Sequence, residues 1–228
     1  MPTTTPLTDA INALTRYANE TTGASDTTLS DAVGTLVAGY GGGGGISVNG
    51  IATGTEPSGA IEITSSTMVA NAFANNSAIT SVHSSCPIFG GYAFQYCTSL
   101  KTAVFTNLNN ASNGDIPQQG LSYCALEKVD ISGSRIIQAN GMRNNASLTV
   151  LILRKTAAVV KLQNIVAFTS TPFASGGTGG TLYVPSALIS SYQSASNWST
   201  ILGYANNSIQ AIEGSQYENY YADGTPIK

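Results

Sequence analysis

Any nucleophilic mechanism in this chain has to pass through His83, the only histidine among its 228 residues. Ser–His and Cys–His pairs both need an imidazole to take the proton. His83 falls at the end of a predicted strand, just before Ser84-Ser85-Cys86, so a Cys86–His83 dyad is the sharpest catalytic reading. A satisfied structural or surface histidine is the preferred alternative. Glu127 and Asp130 lie three apart on a predicted strand and point to opposite faces, which rules them out as a general acid/base pair. A metal site needs clustered His, Cys or carboxylate ligands. Cys86, Cys97 and Cys124 offer no close-spaced pair. The expectation is a non-enzymatic protein with no catalytic residue, no cofactor and no metal.

Binding chemistry is better represented. Only 9% of the residues are charged and the net charge is −3, against roughly a quarter charged in an average domain. Such a surface argues against nucleic-acid binding, which needs basic residues to displace counterions. Seven of the nine basic residues nevertheless fall between Lys101 and Lys161. Arg135, Arg143, Arg154, Lys155 and Lys161 form a candidate patch for an acidic glycan or a partner subunit; solubilising decoration is the plainer reading. Tyr92, Tyr96 and Tyr123 are candidates for stacking against sugars, with packing inside turns as the alternative.

Those residues must be positioned by elements of two kinds. At the N-terminus, residues 6–18 read as a helix capped by Thr5, with Pro6 in the first position and Leu7, Ile11 and Leu14 on one face. A second helical signal begins at Thr28 with the stripe Leu29, Val33 and Leu36. Two helices this short need a partner to bury their stripes, so residues 1–40 are expected to attach or oligomerise the protein, with a trimer as the guess. Five glycines, Gly41 to Gly45, then form a linker. No Lys-Ser/Thr pair follows them, so they are no phosphate cradle. The opening Met1-Pro-Thr-Thr-Thr has no signal-peptide character, and no apolar run approaches the ~20 residues of a spanning helix. The expectation is synthesis in a bacterial cytoplasm with reduced thiols and no membrane insertion.

Beyond the linker the chain repeats itself. Ala72-Phe73…Ile79, Ala93-Phe94…Leu100, Gly120-Leu121…Leu126 and Gly141-Met142…Leu148 align, with anchors 21, 26 and 22 residues apart. Each unit has a small residue, a bulky one, a polar turn, the anchor and a short alternating strand. One unit cannot bury its apolar face alone. Stacking puts Phe73, Phe94, Leu121 and Met142 in one interior column and the anchors in another, with a parallel ladder about 4.8 Å per rung. The fold class expected is therefore α/β: a short leucine-rich-repeat-like solenoid with a parallel strand ladder over residues 46–213, preceded by the helical segment and followed by a tail, 214–228. Strands at Ile46–Val48 and Ile61–Ile63 cover the first unit, and an insertion between Asn107 and Gln119 makes a protruding loop. Cys97 and Cys124 sit on adjacent rungs, where buried reduced thiols, a disulfide or a metal are all open readings.

The units resemble the BspA-type leucine-rich repeat family, which reads approximately A-F-x-x-C-x-x-L-x-x-V. Cys97 and Cys124 occupy the family's Cys position, and Asn76 and Asn145 replace it in the outer units. The ending, from Gly180-Thr-Leu-Tyr-Val-Pro185 through Asn197-Trp198 to Ile212, is similar to the closing unit of such domains in phage and prophage proteins, where a helix caps the solenoid. The first 40 residues look like the paired short helices of phage tail and fibre proteins. The resemblance implies a virion structural protein: a tail-fibre, receptor-binding or capsid-decorating subunit. Its partners would be other virion subunits, further copies of itself and a host surface glycan or protein. A bacterial cell-surface adhesion module is the alternative the same repeats imply.

Overall fold

The computed structural model describes residues 57–108 and 115–227. The expected N-terminal helices with Leu7, Ile11, Leu14, Leu29, Val33 and Leu36, the glycine linker, the strand at Ile46–Val48 and the tip of the 107–119 insertion lie outside the described residues.

Within them the chain winds as a parallel-strand β-solenoid of about four turns. Seven strands form the main sheet: β1 (Gly59–Ile63), β2 (Ile79–Ser84), β3 (Thr102–Phe105), β5 (Lys128–Ile131), β7 (Val150–Leu153), β9 (Thr181–Val184) and β10 (Ser208–Ala211). A three-stranded sheet of β4 (Asp115–Ile116), β6 (Ile136–Ile137) and β8 (Lys161–Leu162) runs along a second side. Every pairing between these strands is parallel. The registers stack like on like: Val82, Ala103, Val129, Leu151 and Leu182 form one row and Ser84, Phe105, Ile131 and Leu153 another. Both rows point inward and are buried. The residue between them on each strand, Val104, Asp130 and Ile152, points outward by the alternation of a strand.

The two predicted interior columns are present. Phe73, Phe94, Leu121 and Met142 are buried, as are Ile79, Leu100, Leu126 and Leu148. Phe73 and Phe94 stack with centroids 5.0 Å apart. The residue after each turn is a donor that reaches back one rung to a backbone carbonyl. Asn76 Nδ2 donates to Pro57 at 2.9 Å, Cys97 Sγ to Phe73 at 3.1 Å, Cys124 Sγ to Phe94 at 3.0 Å and Asn145 Nδ2 to Leu121 at 2.8 Å. Cys and Asn exchange at this position because each carries a hydrogen-bond donor short enough to fit between rungs.

The solenoid differs from the α/β expectation in one respect. Among the described residues α-helix is confined to the end of the coil, where α1 (Ile189–Ser194) and α2 (Trp198–Leu202) replace the single capping helix anticipated. Elsewhere the side away from the main sheet is built from turns, the short sheet and a single 3-10 turn at Ile165–Phe168. The cap is tied down by buried aromatics. Trp198 Nε1 donates to Val160 O at 2.7 Å, and the Tyr192 hydroxyl accepts from Val160 N at 2.9 Å. Beyond β10 the chain folds back as a strap over the outer face of the main sheet, where Val104, Ile152, Ile212, Tyr217 and Ala222 form a second apolar cluster.

Candidate binding surface

The third side of the coil consists of turns, and each turn bends at two left-handed residues four positions apart. They are Asn71 and Asn75, Tyr92 and Tyr96, Gln119 and Tyr123, and Asn140 and Asn144, all with φ between 53° and 66°. Asparagine tolerates this conformation; other non-glycine residues pay roughly 1 kcal/mol for it. The outer units use asparagine at both corners. The inner units place three tyrosines there.

What those tyrosines do with their rings is specific. Tyr96 and Tyr123 stack face to face, centroids 4.5 Å apart and planes 24° from parallel. The Arg143 guanidinium covers Tyr123, its Cζ 5.7 Å from the ring centroid. The order along the solenoid is therefore guanidinium, ring, ring. Tyr96 is 42% exposed and ends the stack. Tyr92 joins no ring pair, and none of the three hydroxyls finds a partner among the described residues. Arg143 donates one weak hydrogen bond from Nη1 to Asn140 Oδ1 at 3.3 Å, while its Nε is buried without an acceptor. No carboxylate pairs with it among the described residues.

The remaining basic residues do not join this group. Arg154 is the anchor of the C-terminal strap. Its Nε and Nη2 each lie 2.7 Å from the Asp130 carboxylate, and Nη1 and Nη2 donate to the carbonyls of Tyr217 and Tyr220 at 2.9 Å. Its Cζ also lies 5.1 Å from the Tyr221 ring centroid. Asp130 accepts from Ala222 N at 2.9 Å as well. Burial pushes the Asp130 carboxyl above its ordinary value, against the pull of Arg154 and the Ala222 amide. Lys155 follows Arg154, two residues past the end of β7. Lys161 opens β8 of the short sheet and Arg135 immediately precedes β6, on another side of the coil. Lys101 pairs with Glu127 at 3.3 Å on the surface. Spacing in sequence could not separate these sides, since each side recurs once per unit.

The candidate catalytic groups are engaged otherwise. His83 Nδ1 lies 2.7 Å from Asp223 Oδ2, and its ring meets Tyr221 edge-on. Cys86 Sγ donates to Ile88 O at 3.1 Å. Cys97 and Cys124 are free buried thiols. Burial pushes Cys97 up to about 12 and raises Cys124 as well. Among the described residues no group of His, Cys, Asp and Glu is arranged to hold a metal, and no helix is long and apolar enough to cross a membrane. A groove of about 280 Å³, lined by Val166, Ser170, Ile201 and Tyr204 among others, opens where the turns meet the cap. Sequence reasoning missed it, and also missed the Arg143–Tyr123–Tyr96 order. The second was readable in principle, from Asn-x-x-x-Asn corners giving way to Tyr-x-x-x-Tyr at the same place in the repeat. No family model, no curated protein and no solved structure matches the chain.

Proposed function

We propose that this chain is a bacteriophage virion structural protein that works by binding. In this reading the solenoid displays a recognition surface, and the segment ahead of residue 46 attaches it to other virion subunits. It would serve as a tail-fibre, receptor-binding or capsid-decorating subunit. The support is the resemblance of the units to BspA-type repeats and of their ending to the closing unit of phage domains. One structural observation carries the binding part: a stack of two tyrosines and an arginine at strained corners of the ladder, its phenol hydroxyls unpartnered among the described residues and its guanidinium holding one weak hydrogen bond. The bend itself belongs to every turn, but placing tyrosine where the outer units place asparagine costs roughly 1 kcal/mol per corner.

The solution mass of the full chain, beside that of a form lacking residues 1–45, tests the attachment half. An oligomer, a trimer being expected, should become monomeric on truncation. A monomer in both cases would sink self-association, leaving docking onto a pre-built particle or the competing reading, a bacterial cell-surface adhesion module built on the same repeats.

A further inference from the structure

We infer that the turn side around Arg143, Tyr123 and Tyr96 is a binding site for a carboxylate-bearing glycan, such as a uronic-acid polysaccharide. This rests on the binding reading above and names its ligand. Three observations converge on it.

The first is the unanswered chemistry of Arg143. Its guanidinium is half-buried, stacked on Tyr123, and has a single weak acceptor in Asn140 Oδ1, with Nε buried and unpaired. A planar cation with spare parallel donors is matched by a carboxylate, which accepts two hydrogen bonds side by side. The second is the shape of what surrounds it. Tyr123 is already covered on one face by Arg143 and on the other by Tyr96, so the outer face of Tyr96 is the ring surface left for a sugar. The free hydroxyls of Tyr92, Tyr96 and Tyr123 flank it and can donate to and accept from sugar hydroxyls.

The third observation excludes the usual way of binding a peptide. A peptide commonly adds to a fold through unpaired backbone amides. Here the turn amides are already donated to the next rung: Asn71 to Gly91, Phe73 to Ala93, Asn75 to Gln95, Phe94 to Gly120, Tyr96 to Ser122, Leu121 to Gly141, and Tyr123 to Arg143. A ligand on this side is read by side chains alone. Flat apolar ring faces, hydroxyls and one anionic group are what an acidic sugar offers to that set. The row continues one rung beyond Asn144, whose amide donates to Thr169 O at 2.8 Å, to the groove at Val166 and Ser170. At about 4.8 Å per rung, Tyr96 to Ser170 spans three steps, the reach of a short oligosaccharide rather than of one ring.

The test is a glycan array probed with the full chain, followed by titration of a uronic-acid oligosaccharide and its carboxyl-reduced counterpart. Carboxylated glycans should be enriched, and the acidic oligosaccharide should bind at least tenfold tighter than the neutral one. Arg143→Gln should erase that preference. Tyr96→Asn should weaken both sugars while leaving the melting temperature little changed, because asparagine's ease at the left-handed corner offsets the lost ring stack; with the fold intact in that melt, loss of binding cannot be blamed on unfolding. An array indifferent to carboxylates, equal binding of both sugars, an unchanged Tyr96→Asn affinity, or displacement of the signal by an acidic peptide but not by free uronate would each overturn the assignment. None of these outcomes touches the attachment half of the proposed function, which the mass measurement decides separately.

Discussion

A tyrosine at a positive φ gives up backbone comfort that an asparagine keeps, and the three in this chain recover it unequally. Tyr96 and Tyr123 gain from stacking, worth about 0.5–1.5 kcal/mol, and Tyr123 gains a further cation–π contact of similar size. Tyr92, at φ 61°, has neither. Tyr92→Asn should therefore stabilise the fold by about 0.5–1 kcal/mol, raising Tm by roughly 1–4 °C in a thermal melt; a fall would show that the ring packs productively within the turn. The residue types at these corners were plain in the sequence, but their conformation was not. A repeat pattern registers which positions are polar, and the left-handed bend is a property of the turn as a whole. The Cys and Asn positions were legible for the opposite reason, since they recur at one fixed place in each unit. Their purpose, a donor for the previous rung, appears only when the rungs are stacked.

At the scale of elements, the strap is the part most dependent on long-range contacts. Its docking turns on Arg154 and Asp130, whose side chains are 11% and 1% exposed. Removing one member of a buried pair leaves the other unpaired, at a cost of about 3–5 kcal/mol. Arg154→Met should lower stability by that order in a denaturant titration and release the last fifteen or so residues to proteolysis. A loss under about 1 kcal/mol would show that the pair is better hydrated than its burial implies. The far end of the strap responds to acid. Burial alone would raise the Asp223 carboxyl, but His83 and the Thr225 amide outweigh it and hold it below its ordinary value. Its folded form is favoured above the ordinary carboxylate range, and that contribution is lost as pH falls through the lowered value. Amide exchange of Ala222 to Thr225 should thus stay slow at neutral pH and quicken below about pH 4; exchange independent of pH there, after correction for intrinsic rates, would remove Asp223 from the docking. Neither contact was visible in sequence. Asp130 lies on β5 and Arg154 just past the end of the neighbouring β7, and the tail that covers them has no period to reveal it. The two-residue strands of the short sheet escaped for a related reason, being too brief to show alternation.

For the whole molecule, the dominant fact is that each rung contacts mainly its neighbours, so stability accumulates rung by rung. Charge contributes little to that sum: among the described residues the surface carries the Lys101–Glu127 pair, while the Arg154–Asp130 pair is sheltered. Tm should move by no more than about 2 °C between low and molar sodium chloride, because exposed pairs are weak and buried ones are poorly screened. A steep decline with salt would point to ionic contacts in the segments beyond those described. The ladder was legible as a whole from its anchors and bulky columns, even though individual rungs vary in length. Its interior donors also have a direction. Asn76, Cys97, Cys124 and Asn145 all reach toward a carbonyl laid down earlier in the chain, as do Asn197, Trp198 and Asn207 in the cap. For these side-chain donors, a rung leaving the ribosome meets its acceptor already in place, whereas the turn amides wait for the carbonyls of the next rung. Arg154 runs the other way over a much longer stretch: paired with Asp130, it waits for carbonyls that are translated some sixty residues later.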